Sequence, residues 1–259
     1  MSFDPATLAA FYASPRGAIA TRALRAAMRR CWPDAAPARA TVLGLGYPAP
    51  YLRPWRDGAA RCIAAVTAAS ARDLADIGWP RRRPSMTCLI EDDALPLPDL
   101  STDLVIMVHA LEFADNARRL LREVWRVLSD NGQLLVVVAN RRGAWAHLDS
   151  TPFGHGQPYS LGQASRLLRG GLFEVEQRDT ALFLPPMRLH MPNRAAAIWE
   201  AAGHAVAPGL GGVILIKARK DVYGVLPTAS LQRAEASRGA RRRVLVSAAP
   251  TAAPTTREG

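Results

Sequence analysis

The sequence predicts an α/β fold with helices on both faces of a mainly parallel sheet. The strongest observation is the stretch 103–139, in which an apolar run, an amphipathic helix and a second apolar run follow one another. An apolar run of strand length is typical of a strand buried on both faces, as in parallel sheets. The chain has 259 residues, 49% of them hydrophobic, which is enough for one large domain with a substantial core.

Two helices are predicted in an N-terminal extension, residues 1–38. Asp4-Pro5 and Ser14-Pro15 each supply a capping residue followed by a proline at the first helical position. The second helix is expected to run to about Arg30, and its arginines make it amphipathic and basic. We interpret this segment as a helical cap on the sheet, with a transit peptide as the alternative.

Three strands are expected next, at residues 41–46, about 61–66 and about 85–90. The first strand ends in a turn with Gly44 and Gly46, and glycines let the backbone approach a ligand closely and adopt positive φ. The turn continues with Pro48 and Pro50, which lack backbone N–H donors.

The fourth strand, Leu104 to Val108, leads into polar residues. A helix capped by Asp115 is expected to follow, with one apolar stripe made of Leu120, Leu121, Val124, Val127 and Leu128. Asn131-Gly132 is expected to end this helix, because both residues tolerate the left-handed conformation. A fifth strand then covers residues 133–139. Ligands bind beyond the carboxyl ends of parallel strands, so His109 to Glu112 are expected near a site.

The last two strands are expected as an antiparallel pair at residues 173–184 and 212–218. Between them, an insertion at about 185–208 contains a helix with Ile198 and Trp199. We expect this helix near the substrate face or in a dimer contact.

One domain, residues 39–224, would contain all these strands, and residues 225–259 would form a basic tail. The tail is rich in Ala, Ser, Thr, Pro and Arg, a composition that predicts disorder. The formal net charge of the chain is +11, and nearly all its cations are arginines. A basic surface can attract nucleic acid or an anionic membrane, but the arginines are not interleaved with aromatic residues as a stacking platform requires. We favour solvated surface charge, with nucleic-acid or membrane binding as the alternative.

The composition also disfavours some classes of protein. No apolar run approaches the roughly 20 residues that a membrane-spanning helix needs, so no span is expected. Cys31, Cys62 and Cys88 are scattered without metal-ligand spacing, so no metal site is expected. The odd number of cysteines and the lack of an obvious signal peptide favour a reducing, cytoplasmic compartment.

Short motifs follow one another in the middle of the chain: Glu91-Asp-Asp-Ala-Leu-Pro-Leu97, Thr102-Asp103, His109-Ala-Leu-Glu112, Arg126-Val-Leu128 and Gly132. Their order and spacing resemble the class I S-adenosylmethionine (SAM)-dependent methyltransferases, in particular the small-molecule methyltransferase-domain group. The resemblance continues at His155-Gly-Gln-Pro-Tyr159-Ser160 and Leu167-Leu-Arg-Gly-Gly-Leu-Phe173, and covers about residues 40–220. It implies a Rossmann-like sheet of seven strands and SAM as the cofactor.

The resemblance also implies a set of cofactor-binding residues: Gly44, Gly46, Tyr47, Thr67, Glu91, Asp92, Asp93 and His109. In the family, the first strand usually leads into an acidic residue and a glycine-rich turn. In this sequence Gly44 stands in place of the acid, and Tyr47 and two prolines stand where further glycines are expected. Family members usually end the second strand with an acid that binds the ribose hydroxyls. Here that acid is absent, and Thr67 or Ser70 could substitute weakly.

The third strand ends nearer to the family pattern. Glu91 corresponds to the acid that faces the adenine, although a shift of one residue would select Asp92. The alternative is that these are solvated acids of a surface loop.

The candidates for chemistry are His109, His155 and Tyr159. His109 could line the pocket or transfer a proton. Glu112 could instead brace the helix that follows. We interpret the loop 151–159 as a lid that closes over the acceptor, with an ordered connector packed on the core as the alternative. Ser160 and Gln163 form a capping box that starts the next helix.

The sequence therefore predicts a SAM-dependent methyltransferase that acts on a small-molecule acceptor by direct in-line transfer. Two alternatives remain open, namely a catalytically silent protein of this fold that binds a partner, and an RNA-binding relative that uses the basic tail. A homodimer or another protein partner is also open at this point.

Overall fold

A computed structural model describes residues 5–32, 39–67, 79–80, 85–91, 94–186 and 193–224. The chain divides into two units, residues 1–221 and 222–259, and every strand and helix described below belongs to the first. The predicted tail, residues 225–259, lies outside the described part of the chain.

Seven strands form one sheet with the order β3-β2-β1-β4-β5-β7-β6. Their bounds are β1 Thr41–Gly46, β2 Arg61–Thr67, β3 Thr87–Ile90, β4 Thr102–Val108, β5 Leu128–Ala139, β6 Phe173–Ala181 and β7 Val213–Lys220. Strands β1 to β5 pair in parallel, whereas β7 runs antiparallel to both β5 and β6. The predicted seven-stranded, Rossmann-like sheet is confirmed.

Six α-helices surround the sheet in the described residues: α1 Pro5–Ala13, α2 Pro15–Cys31, α3 Arg53–Arg56, α4 Ala117–Val127, α5 Leu161–Gly170 and α6 Asn193–Val206. Short 3-10 turns occur at Ala144–His147 and Pro152–Gly154. Within the described residues, no helix is both long and apolar enough to cross a membrane.

Alternate residues of the central strands belong to two separate cores. Along β4, Leu104, Ile106 and Val108 pack with residues of α1, α2 and α3, while Val105 and Met107 pack with α4 and α5. These side chains are at most 1% exposed. The apolar run of β4 therefore reflects burial on both faces, as the sequence indicated.

The N-terminal helices follow their predicted signals. The Ser14 hydroxyl accepts a hydrogen bond from Gly17 N at 3.1 Å, and α2 starts at the following proline. The apolar face of α2, including Leu24 and Met28, is buried in the core that also contains β1 and β4. This packing agrees with a helical cap on the sheet.

The predicted end of the helix before β5 is wrong. The helix begins after Asn116, whose side chain accepts from Arg119 N, and it ends at Val127. Leu128 has extended backbone angles and opens β5, where it pairs with Thr102. Gly132 lies inside β5, and a Cβ there would lie 2.8 Å from Ser129 O. That glycine allows a close approach within the strand and does not cap the helix.

Two other boundaries differ by a few residues. Strand β6 ends at Ala181, because Leu182 has a φ of 67° and leaves the extended conformation. Strand β3 begins only at Thr87.

In the predicted insertion, α6 exposes Ile198 (68%) and Trp199 (50%) to solvent. A dimer contact through this helix stays a prediction.

Candidate functional site

The carboxyl ends of β1 and β4 lie side by side, and we call this place the switch point because the chain order reverses there. Gly46, the last residue of β1, pairs with Val108 and has a φ of 81°. A Cβ at Gly46 would lie 2.3 Å from Val108 O, so no other residue fits without a backbone shift. Tyr47 N donates to Val108 O at 2.8 Å. His109, the residue after β4, also has a positive φ, 56°. Such an angle is uncommon for a non-glycine residue, although His adopts it more often than most residue types.

A chain of hydrogen bonds runs through His109. The Tyr12 hydroxyl lies 2.7 Å from His109 Nε2, and Glu112 Oε1 lies 2.8 Å from His109 Nδ1. His109 and Glu112 are each only 2% exposed. Ala139 N, at the end of β5, also donates to Glu112 Oε1, at 3.4 Å. Three elements, α1, β4 and β5, therefore converge on one polar group inside the fold.

Tyr12 is held in its protonated form. Burial, together with the neighbouring Tyr51, raises the pKa of Tyr12 well above its usual value. The phenol therefore keeps its proton and can donate it to His109 Nε2, in which case Nδ1–H donates to Glu112. Glu112 Oε2 is buried and receives no hydrogen bond from the described residues.

Aromatic rings surround this polar chain. Tyr12 stacks on Tyr47 with the ring centroids 4.9 Å apart and an angle of 15° between the planes. Phe153, which is fully buried, lies 5.1 Å from the His109 ring, and Tyr51 lies edge-on to Tyr12. The His109 chain is thus held in a largely apolar surrounding, which strengthens its hydrogen bonds.

The turn after β1 packs against the chain itself. A Cβ at Gly44 would lie 2.4 Å from the Cβ of Pro48, so the proline ring occupies the space that the glycine leaves. The guanidinium of Arg25, on α2, donates to Pro50 O through Nε at 2.8 Å. Packing within the chain therefore requires both glycines, whether or not a ligand binds. The hydrogen bond from Arg25 holds the turn against α2.

The other predicted cofactor residues follow the neighbouring strands. Thr67 is the last residue of β2 and pairs with Ile90, so Thr67 and Glu91 lie at the same edge of the sheet as Gly46. The Glu91 side chain is exposed. Asp92, Asp93 and the alternative Ser70 lie outside the described residues. The role of each of these residues in cofactor binding stays a prediction.

The loop 151–159 contacts the segment that carries Glu112. Gly156 has a φ of 70°, and a Cβ there would lie 2.4 Å from Glu112 O. Gln157 N donates to Glu112 O at 2.9 Å. Burial and then the charge of Glu112 raise the pKa of Tyr159, so the two side chains are within electrostatic reach. The Tyr159 hydroxyl itself lies 3.5 Å from Leu111 O, the residue before Glu112, and its role in catalysis stays a prediction.

His155 is oriented differently. Its Nε2 lies 2.7 Å from Asp149 O, in the segment just before the loop. Phe153 is part of the core, and Tyr159 forms a parallel bridge with Asn140 at the end of β5. The packing of this loop agrees with an ordered connector; its movement as a lid stays a prediction. The capping box of Ser160 and Gln163 is confirmed.

Tyr12 was not predicted from the sequence. It lies in α1, 97 positions before His109, and no local motif marks it. A signal was nevertheless present, because Leu8, Phe11 and Tyr12 have the spacing of one helix face. That spacing predicts burial of the tyrosine, although not its partner.

Among the described residues, no group of three or more His, Cys, Asp or Glu side chains could hold a metal ion.

Comparison with known proteins agrees with this architecture. Residues 43–136 match a family model described as a methyltransferase domain. Uncharacterized proteins of Mycobacterium tuberculosis and Mycobacterium bovis are 27% identical over 144 residues, which cover 53% of this chain and 48% of theirs. The chain thus spans about half the length of the curated relatives it matches.

Two solved structures have a similar fold. A SAM-dependent methyltransferase of Thermotoga maritima, described as a possible histamine N-methyltransferase, has a TM-score of 0.58 and 21% identity; the match covers 82% of this chain and 93% of that one. A putative methyltransferase in complex with the Trm112 activator of Haloferax volcanii has a TM-score of 0.57 and 17% identity, covering 82% and 96%. At these identities the likeness concerns the fold.

Proposed function

Because the chain carries a methyltransferase domain on the class I methyltransferase fold, we propose that it is a SAM-dependent methyltransferase with a small-molecule acceptor and direct in-line transfer. The family match and the fold imply SAM as the cofactor. The observation that carries the proposal is the buried chain Tyr12–His109–Glu112 at the switch point. Parallel sheets bind ligands there, and a polar group so placed can take part in chemistry.

The residues at this edge fit the cofactor in outline. The backbone of Gly46 and Tyr47 packs closely on the end of β4, so the turn after β1 lies at the edge of the sheet where a ligand would bind. Thr67 and Glu91 offer side-chain oxygens at the ends of the next two strands, on the ribose and adenine sides that the family resemblance implies. When bound, S-adenosylmethionine supplies an activated methyl group on a sulfonium.

The protein's own contribution is alignment and proton removal. An acceptor hydroxyl or amine loses a proton as its bond to the methyl carbon forms. We infer that the Tyr12 oxygen accepts this proton while the phenolic proton passes to His109 Nε2. The Glu112 carboxylate, bonded to Nδ1–H, then stabilises the imidazolium. Phe153 and the stacked tyrosines keep water away from this chain.

A second candidate function is a catalytically silent protein that binds a partner. The observation in its favour is that the chain's own rings and prolines occupy the switch point: Tyr47 stacks on Tyr12, and Pro48 fills the space over Gly44. The missing acid at the end of β2 points the same way. In this case SAM would not bind.

Calorimetry of the full chain with SAM and with S-adenosylhomocysteine distinguishes the two functions. The methyltransferase is expected to bind both in a saturable manner, and to release S-adenosylhomocysteine with some member of a panel of small phenols, amines and carboxylic acids. With such an acceptor, Tyr12→Phe is expected to lower kcat about 100-fold, the range of general base catalysis, with little change in SAM affinity. No heat at millimolar SAM would rule out the methyltransferase function.

A further inference from the structure

A groove outside the switch point combines positive charge with apolar walls. It lies between α2 and α6 and has a volume of about 710 Å³. Volumes of roughly 300–1,000 Å³ are typical of small-molecule sites. Leu184, just beyond the end of β6, also contributes to its lining. We call it the α2–α6 groove.

The positive charge comes from one face of α2. Arg22, Arg25, Arg29 and Arg30 all line the groove. Three of them, Arg22, Arg25 and Arg29, have the spacing that places side chains along one helix face. Like charges at this spacing destabilise a helix slightly, so the stripe is not explained by helix stability. The opposite face of α2 is buried against the sheet, which aims the stripe into the groove.

Part of this charge is already used within the fold. Arg30 Nη2 pairs with Asp179 Oδ2 at 3.0 Å, and His204 Nε2 binds the other oxygen of Asp179 at 2.7 Å. Arg25 donates to Pro50 O. Arg22 and Arg29, both exposed, form no ion pair with a carboxylate among the described residues. Arg22 Nε donates to Ala18 O at 3.2 Å, so the two Nη groups of Arg22 and the guanidinium of Arg29 remain for an anion.

The single carboxylate of the lining does not neutralise them. Glu200, on α6, accepts hydrogen bonds from Leu182 N and Leu184 N at 3.0 and 3.2 Å. It thereby fastens α6 to the end of β6 and is occupied by the backbone. The rest of the described α6 wall consists of three small apolar residues, Ala196, Ala197 and Ala201, and of His204, which is bonded to Asp179.

We propose that the α2–α6 groove binds a small anionic amphiphile, in which a carboxylate or phosphate is carried on an apolar body. Arg22 and Arg29 would bind the anionic group, since guanidinium pairs with such groups through two parallel hydrogen bonds. The alanines and Leu184 would contact the apolar body. RNA fits less well, because no Phe, Tyr or Trp among the described residues lines the groove to stack on a base.

Calorimetry of the full chain with octanoate, 1-octanol, inorganic phosphate and a single-stranded RNA oligonucleotide tests this proposal without SAM. Octanoate is expected to bind saturably and at least about tenfold more tightly than octanol or phosphate. Octanol lacks the anionic group, and phosphate lacks the apolar body. The double variant Arg22→Gln/Arg29→Gln should weaken octanoate binding about tenfold or more, as expected for the loss of charge-assisted hydrogen bonds. The double variant Arg166→Gln/Arg169→Gln, at two exposed arginines of α5, is the charge-matched control and should bind as the unmodified chain does.

A second pair of variants tests the place of binding. Ala201→Phe would fill the groove and abolish binding, whereas Ala202→Phe, at the neighbouring exposed position outside the lining, should leave it unchanged. Melting temperatures establish that each variant is folded. The proposal is overturned if octanoate gives no heat, if octanol binds equally well, or if Arg22→Gln/Arg29→Gln binds octanoate like the control Arg166→Gln/Arg169→Gln. It is also overturned if Arg22→Gln/Arg29→Gln weakens RNA binding alone.

Discussion

The ends of β1 and β4 are adjacent, yet they are built in opposite ways. At the end of β4, His109 and Glu112 are buried polar residues in a hydrogen-bonded chain. At the end of β1, Gly44 packs against the Pro48 ring and Gly46 packs against the backbone of Val108. Polar chemistry is therefore concentrated on the β4 side, whereas the β1 side is defined by tight packing.

The strongest test of the packing on the β1 side is Gly46→Ala. The new Cβ would meet Val108 O and Ala110 N, backbone atoms that cannot move aside, at a φ of 81°. We expect a loss of about 3 kcal/mol in the free energy of unfolding, from left-handed strain and overpacking together. Urea denaturation measures it. Gly170→Ala, where nothing lies within 4 Å, is the matched control and should change stability by less than about 1 kcal/mol.

Tyr12→Phe tests the polar chain on the β4 side. Removal of the hydroxyl leaves the buried His109 Nε2 without its hydrogen-bond partner, which should cost about 1.5 kcal/mol of unfolding free energy. The ¹⁵N chemical shifts of His109 should also change at Nε2. Tyr159→Phe is the control, because the Tyr159 hydroxyl reaches Leu111 O only at 3.5 Å. Equal losses of unfolding free energy in the two variants would show that the Tyr12–His109 hydrogen bond contributes no more than the long Tyr159–Leu111 bond.

Thr67→Asp asks whether the neighbouring strand end limits cofactor binding. A carboxylate at the end of β2 could accept two hydrogen bonds from ribose hydroxyls. After the cost of desolvation we expect about tenfold tighter SAM binding by calorimetry, about 1.4 kcal/mol. Thr67→Asn provides a similar shape without the charge. If the two variants bind SAM equally, a missing carboxylate is not what distinguishes this site.

The smallest effect is expected where the chain enters β4. The Arg126 hydrogen bond lowers the pKa of Glu123, and Glu123 Oε2 also accepts from Leu95 N at 3.0 Å. A lowered folded-state pKa contributes stability above the unfolded-state pKa, about 4.3 for Glu, and this stability is lost as pH falls through the lower folded-state value.

Glu123→Gln should therefore lower the unfolding free energy at pH 7 by about 1 kcal/mol and flatten its decline below about pH 4.3. Denaturation between pH 7 and pH 3 measures both. Glu174→Gln removes an exposed pair with Arg219 and is the control. If the unfolding free energy of Glu123→Gln depends on pH as that of the unmodified chain does, Glu123 does not stabilise the fold in this way.

The same contrast explains what the sequence could predict. Local patterns suffice for β4 and α2, because an apolar run and a serine–proline start are properties of neighbouring residues. The helix end was misplaced because Gly132 is also what a close approach within β5 requires. The contact between Tyr12 and His109 joins two segments far apart in sequence, so it depends on how the first helix packs on the finished sheet.

Tyr12 also has a consequence for how such chains diversify. The matched methyltransferase domain begins at residue 43, so the group that binds His109 comes from a segment outside it. A change in the N-terminal helices would therefore change the hydrogen-bond partner of His109 while every strand end stayed the same.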